Sequence, residues 1–176
     1  MPVIRPARID DAFAMARVHV DAWRTTYAGI VPDEHLANLS YERAEANWGK
    51  YLSNPRGETH AFVAEAEPGQ IVALASCGPP QEAVTGYNGE LYVIYVLKPF
   101  QGMGYGRQLV TQVADDLAAR GYHSLVVWVL KDNPARLFYE RLGGRMIAEK
   151  AVEIGGKELL DVAYAWPDLA VLRQNR

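Results

Sequence analysis

Between Gln101 and Arg107 the chain reads Gln-Gly-Met-Gly-Tyr-Gly-Arg, at the junction of an apolar strand and a long helical pattern. Glycines there let a backbone approach a ligand without a Cβ in the way. A helix N-terminus adds unpaired N–H groups and the positive end of the helix dipole, which together suit a phosphate. The nucleotide loop GxxxxGK[ST] is not met, because no Lys-Ser or Lys-Thr pair occurs in the chain. The dinucleotide pattern GxGxxG is not met either, since Gly102, Gly104 and Gly106 alternate. The plain alternative is a turn that needs three glycines. His19, His35, His60 and His123 are scattered without metal-ligand spacing, and Cys77 has no nearby histidine to make it a nucleophile. No metal site is expected.

The elements that must position this loop follow from periodicity. Val3 to Arg5 predicts a first strand. Asp10 is a plausible helix cap, and Ile9, Phe13, Ala16, Val20, Trp23 and Tyr27 recur at three and four as one apolar stripe. Pro32-Asp33-Glu34 and Ser40 mark further helix starts. Thr59 to Ala66 and Ile71 to Cys77 read as an antiparallel hairpin broken by residues 67–70. Glu90 to Val96 (ELYVIYV) is a buried strand, on which period two would put Glu90, Tyr92, Ile94 and Val96 on one face. A helix over 104–120 packs Leu109, Val110, Val113, Ala114 and Leu117, and Gly121 closes it. Ser124 to Leu130 is a strand, Asn133 to Leu142 a short helix, and Gly155-Gly156 joins a final hairpin. Right-handed crossover makes the strands at 90–96 and 124–130 parallel. The chain reads as one mixed-sheet α/β domain over residues 1–176.

With 176 residues and 49% hydrophobic residues the chain is long enough and apolar enough for one real core. No apolar run approaches a membrane span of roughly 20 residues, and the first ten residues carry no apolar signal-peptide core. A net charge of −3 argues against broad nucleic-acid binding. The single cysteine cannot form an internal disulfide, which points to a reducing, cytoplasmic setting.

Gln101, Gly104 and Gly106 form a Gln-x-x-Gly-x-Gly pattern that resembles the pyrophosphate-binding signature of the GNAT acetyltransferase superfamily. The ELYVIYV strand before it resembles that family's central strand. Asn133-Pro134-Ala135-Arg136-Leu137-Phe138-Tyr139-Glu140-Arg141-Leu142-Gly143 resembles its second signature, a short helix ending in Phe-Tyr and Leu-Gly. The resemblance covers roughly residues 59 to 165. Two positions depart from it. Asn133 stands six residues before Tyr139, where the family usually has seven, and Gly144 replaces the aromatic that commonly follows Leu-Gly.

The resemblance implies a mixed, mostly antiparallel sheet of about seven strands flanked by helices, with two adjacent parallel strands splayed at the cofactor site. It implies acetyl-CoA as co-substrate and transfer of its acetyl group to a primary amine of a small molecule or peptide by direct attack. The backbone of Gly102, Met103, Gly104, Tyr105, Gly106 and Arg107, with Gln101, would hold the pyrophosphate. Ile94, Tyr95 and Val96 would pair with the pantetheine arm, Asn133 would also touch the cofactor, and an N–H near Tyr95 or Val96 would polarise the thioester. Glu90 is the implied base, against a solvated strand end. Tyr139 is the implied acid, against a packed core tyrosine. Trp23, Tyr27 and Tyr92 would border the acceptor, against core packing. A non-catalytic acetyl-CoA sensor and a protein N-terminal or lysine acetyltransferase are the alternatives. A homodimer is expected through a sheet-edge contact of Glu158 to Trp166.

Overall fold

The computed structural model describes residues 2–54 and 60–174. Seven strands form one sheet in the order β1-β2-β3-β4-β5-β7-β6. These are β1 Val3–Pro6, β2 His60–Glu65, β3 Ile71–Gly78, β4 Glu90–Val96, β5 Leu125–Leu130, β6 Arg145–Ile154 and β7 Lys157–Trp166. Thr59, expected to open the second strand, lies outside the described residues. All neighbours are antiparallel except β4 and β5. That pair is parallel and short: only Glu90–Val126 and Leu91–Val127 are matched before the strands part.

Six helices cover the sheet: α1 Ala12–Thr26, α2 Asp33–Ala37, α3 Tyr41–Leu52, α4 Tyr105–Ala119, α5 Arg136–Arg141 and α6 Ala170–Arg173. On one face α4 buries Leu109, Val110, Val113, Ala114 and Leu117 against Ala73, Ala75, Leu91 and Val127. On the other, Met15, Ala16 and Val18 of α1 and Trp48 of α3 pack over Val63 and Leu74. Ser40 caps α3 as expected, its hydroxyl accepting from the Arg43 N–H at 3.2 Å. Asp116 pins the C-terminal end of α4: it takes His60 of β2 at 2.8 Å and Arg120 at 2.6 Å.

Several expectations change. The helix begins at Ala12, after a 3₁₀ turn over Ile9–Asp11, so Ile9 is out of helical phase and exposed. Phe13 is exposed too, with the Arg17 guanidinium 4.8 Å from its ring centre. Asp11, not Asp10, orders this entry, accepting the Arg8 N–H at 2.7 Å and both terminal nitrogens of Arg5. Residues 133–135 form a turn ahead of α5, and α6 carried no sequence signal that we read. β7 is not an edge. It lies between β5 and β6, so residues 158–166 cannot supply the expected edge contact; the sheet ends at β1 and β6. Lastly, Ser76 faces Val93 while Cys77 faces Leu91, which leaves Tyr92 as an extra, bulged residue in β4. The bulge reverses the alternation. Ile94 and Val96 join Leu91 on the α4 face, whereas Val93 and Tyr95 pack under α1, so Glu90, Tyr92, Ile94 and Val96 do not share a face.

Gly144 answers a close approach. A Cβ there would stand 2.6 Å from the Trp166 ring and 2.9 Å from the Tyr139 carbonyl oxygen. Trp166 occupies the space that an aromatic side chain at 144 would otherwise fill, and its indole N–H donates to the Leu142 carbonyl at 2.9 Å. Gly144→Ala should therefore lower stability by about 1–3 kcal/mol through overpacking. Chemical denaturation would show this as a lower midpoint at unchanged slope.

Candidate active site

The site begins where β4 loses its neighbour. Leu97 donates its N–H to Val72 of the segment carrying β3, at 3.0 Å. Alternation in an antiparallel ladder then turns the main-chain groups of Tyr95 and Val93 toward β3, and those of Val96 and Ile94 away from it. Beyond Leu91 no β5 residue is matched to β4, so the N–H and C=O groups of Ile94 and Val96 face the gap. The Gln101 side-chain amide donates to the Val96 carbonyl at 3.1 Å, which shows that this carbonyl is not used by β3. Of the two N–H groups expected near the thioester, that of Val96 faces the gap and that of Tyr95 faces β3.

At the C-terminal end of β4 the glycine loop opens to solvent. Gly102 and Gly104 take φ of +77° and +90°, conformations that favour glycine. A Cβ at Gly102 would meet nothing within 4 Å, and one at Gly104 only the tip of Gln108 at 3.9 Å. Gln101, Gly102, Met103, Gly104 and Arg107 are exposed, while the Tyr105 ring is buried edge-on to Phe100 and anchors the turn. The first N–H of α4 to bond back is Gln108, to Gly104. Those of Tyr105, Gly106 and Arg107 have no intrahelical acceptor, as any helix start requires. This combination fits a pyrophosphate, with loop and helix N–H groups converging on open space.

The gap between β4 and β5 lets the two faces of the sheet meet. Tyr139 of α5 is buried, packed against Tyr164 and Trp166. Burial pushes its hydroxyl well above the usual phenol value, and the nearby Tyr27 and Tyr95 push the same way. Among the described residues that hydroxyl has no hydrogen-bond partner. From the other face the Trp23 indole N–H donates to the Tyr95 hydroxyl at 2.9 Å, and Trp23 packs on Tyr27 with ring centres 4.5 Å apart. His19 stacks on Tyr95 at 4.9 Å and accepts the Trp48 indole N–H at 3.2 Å. Burial lowers the pKa of His19, so it serves as a neutral packing group. Asn133 closes this cluster: its Oδ1 accepts the Ala135 N–H at 2.9 Å, and its Nδ2 donates to the Tyr27 hydroxyl at 3.4 Å. Trp23, Tyr27, Tyr95, Asn133 and Tyr139 thus come together.

Glu90 and Tyr92 stand apart from that cluster, in a cavity of about 220 Å³ beside the start of β4. Trp128, Lys150 and Asp161 line it as well, three residues that our sequence reading missed. Glu90 is only 5% exposed. One of its oxygens accepts the Gln81 N–H at 2.7 Å. Burial raises its pKa above the ordinary carboxylate value, against that hydrogen bond and the Lys150 charge. Tyr92 lends the cavity its ring, since its hydroxyl donates to the Pro79 carbonyl at 2.5 Å. Asp161 could have been noticed as a lone acid in the apolar run LLDVAYAW. Trp128 and Lys150 gave no signal, because only the sheet order brings them beside it.

The family model of the FR47-like protein matches residues 80–152, which span β4, the glycine loop, α4, β5 and α5. An uncharacterised N-acetyltransferase of Bacillus subtilis, YuaI, is 39% identical over 173 residues, covering 98% of this chain and 97% of its own. The PaiA N-acetyltransferase of Thermoplasma acidophilum, solved in complex with coenzyme A, superposes with a TM-score of 0.71 at 15% identity, over 94% of this chain and 99% of that one. The putative acetyltransferase yncA of Salmonella typhimurium, solved with acetyl-CoA, superposes with a TM-score of 0.67 at 23% identity, over 96% and 94% of the two chains. Both solved structures share the fold, and the match to YuaI spans nearly the whole of both chains. The chain belongs to the GNAT superfamily of N-acetyltransferases.

Proposed function

We propose that this N-acetyltransferase moves the acetyl group of acetyl-CoA directly onto a primary amine of a small molecule, with both substrates bound together. The observation that carries this reading is a continuous track along β4. The open glycine loop lies beyond its C-terminal end, the main chain of Ile94 and Val96 that β5 leaves unmatched lies before it, with the Val96 carbonyl met by Gln101, and the Glu90 cavity lies at its start. A cavity of about 220 Å³ suits a small amine better than a folded chain.

Bound there, acetyl-CoA supplies a thioester carbon open to attack. The loop and the first turn of α4 hold the pyrophosphate, with Arg107 exposed beside it. The main-chain groups of Ile94 and Val96 pair with the pantetheine amides in the manner of an added strand. The Val96 N–H, aimed into the gap, can stabilise negative charge on the carbonyl oxygen. An alkyl amine has a pKa near 10.4, so it must be deprotonated before it can attack. Glu90 takes that proton, through water where the amine does not reach it, and its raised pKa makes it a stronger base than an exposed carboxylate. The nitrogen bonds to carbon, and the C–S bond breaks with its electron pair going to sulfur. Tyr139 gives its proton to the leaving thiolate and regains one from water, which also takes the proton that the new amide nitrogen sheds. Burial keeps Tyr139 protonated across the working pH range, so its hydroxyl is always available as a donor. Trp23 and Tyr27 border the acceptor from α1.

Coenzyme A should raise the melting temperature of the wild type by mass action. Gly104→Val, which forces a β-branched residue into φ of +90°, should abolish that rise while far-ultraviolet circular dichroism shows the fold intact. Stabilisation by NADH or ATP without any by coenzyme A would overturn the cofactor assignment. Tyr139→Phe should lower kcat roughly 100- to 1,000-fold with little change in acetyl-CoA affinity, in a steady-state assay of CoA release across a panel of amines. Wild-type turnover would remove its acid role.

Glu90 must be ionised to act, and its pKa is raised, so the wild-type rate should fall as pH drops through a value above the ordinary 4.5. Glu90→Gln should lose that limb. Its deficit should be largest at low pH and shrink as more amine arrives already deprotonated. A deficit that is flat across the pH–rate profile would mean that Glu90 positions the acceptor instead.

A further inference from the structure

Asp161 has no part in the chemistry above, yet it lines the same cavity as Glu90. Its setting is unusual for a carboxylate. Lys150 is its direct partner across the β6–β7 ladder. The Lys150 ammonium nevertheless turns away, bonding Glu82 at 2.9 Å and lying 4.1 Å from the centre of the Trp128 ring. No described residue hydrogen-bonds the Asp161 carboxylate. Partial burial raises its pKa, with Lys150 opposing. Its oxygens remain open to the cavity and to solvent. The second oxygen of Glu90 is likewise without a partner among the described residues, on a side chain that is 95% removed from solvent and faces this cavity. With Lys150 counted against Glu82, the cavity keeps an excess of two carboxylates, whose charge Lys150 offsets only in part.

Their spacing can be read from the sheet. Glu90 is matched to Val126, and Asp161 to Leu130, four residues further along β5 and two strands over. That puts their backbones roughly 13 Å apart along the strands and about 10 Å across them, or roughly 16 Å in all. Two inward-pointing side chains shorten this gap without closing it, so the two carboxylates cannot share one ammonium. They fit two cationic groups on one flexible ligand, with the Tyr92 ring in the same cavity to cover its methylene links, while the Lys150 ammonium already lies over Trp128.

We infer that Asp161 is a specificity-determining residue that holds a second, non-reacting ammonium of the acceptor, so that the preferred acceptors are small aliphatic diamines. This inference rests on the acetyl-transfer reading above and names its substrate class. The alternative for such a cavity is a zwitterion, whose carboxylate Lys150 would hold.

Three probes of equal length separate the possibilities: 1,5-diaminopentane, n-pentylamine and 5-aminopentanoate. Each is titrated calorimetrically into the full chain with and without saturating coenzyme A. The diamine should bind about 10- to 100-fold more tightly than pentylamine, and 5-aminopentanoate most weakly. Asp161→Asn, nearly isosteric, should erase the difference between diamine and pentylamine. It should leave the melting temperature unchanged or raise it, because it removes an unpaired charge. Equal affinity for diamine and pentylamine, tighter binding of 5-aminopentanoate, or a preference that survives in Asp161→Asn would each overturn the inference. So would a drop in melting temperature together with a preserved preference, which marks a structural aspartate. Failure of coenzyme A itself to bind would strike the transfer reading instead, and the amine titrations without it still decide the role of Asp161.

Discussion

Everything at this site depends on one strand losing its neighbour. A β-strand inside a sheet has hydrogen-bond partners on both sides, and leaving a row of them unsatisfied in a packed interior is expensive. Here β4 and β5 share two matched residues and then diverge, while β5 continues with β7 through Leu130. The main chain of Ile94 and Val96 is therefore left without a strand partner on the β5 side, the Val96 carbonyl being met by the Gln101 side chain. The bulge at Tyr92 sits just beyond the last matched pair and turns the β4 side chains over. It lets Glu90 face the cavity lined by Trp128 and Asp161 while Ile94 and Val96 pack on the α4 side of the sheet. The gap also allows a tyrosine from one face of the sheet to sit in electrostatic reach of tyrosines from the other.

Polar satisfaction separates the supporting residues from the reactive ones. The Trp23, Tyr95, His19 and Trp48 group is internally bonded: each indole N–H has found an acceptor and His19 is held neutral. It makes a stiff wall. Among the described residues the Tyr139 hydroxyl and the Asp161 carboxylate have no hydrogen-bond partner, and Glu90 has one oxygen engaged and one not. Such groups, one at the strand gap and two in the separate cavity beside the start of β4, leave bonding capacity that a ligand can meet.

Much of this was legible in the residues. The glycine spacing of 102, 104 and 106, the β-branched run at 90–96 and the Ser40 cap each reflect a local constraint that a single stretch of chain expresses. The features that escaped depend on distant pairing. Period two placed Glu90, Tyr92, Ile94 and Val96 on one face, and a single bulged residue defeated it. Glu158 to Trp166 looked like an edge because it ends the chain's strands, yet it inserts between β5 and β6. Asp161 and Lys150 acquire meaning only once that insertion sets them beside Glu90. Ile9 and Phe13 fit a helical stripe by spacing, but the helix starts too late to use them.

The fastening of α4 at Asp116 has a mechanical consequence. The helix carries the glycine loop at one end and is tied to β2 near the other, where the Asp116 carboxylate meets the His60 ring at 2.8 Å; Arg120, its own C-cap, holds the same carboxylate from within the helix. Fifteen residues make a rod about 22 Å long, so a tilt of only about 3° at the clamp sweeps the loop sideways by about 1 Å. A misplacement of that size is enough to disturb a reaction that relies on alignment. Asp116 thus acts as the fulcrum of a lever, and the aim of the loop at the far end is set by a polar contact to β2 remote from it.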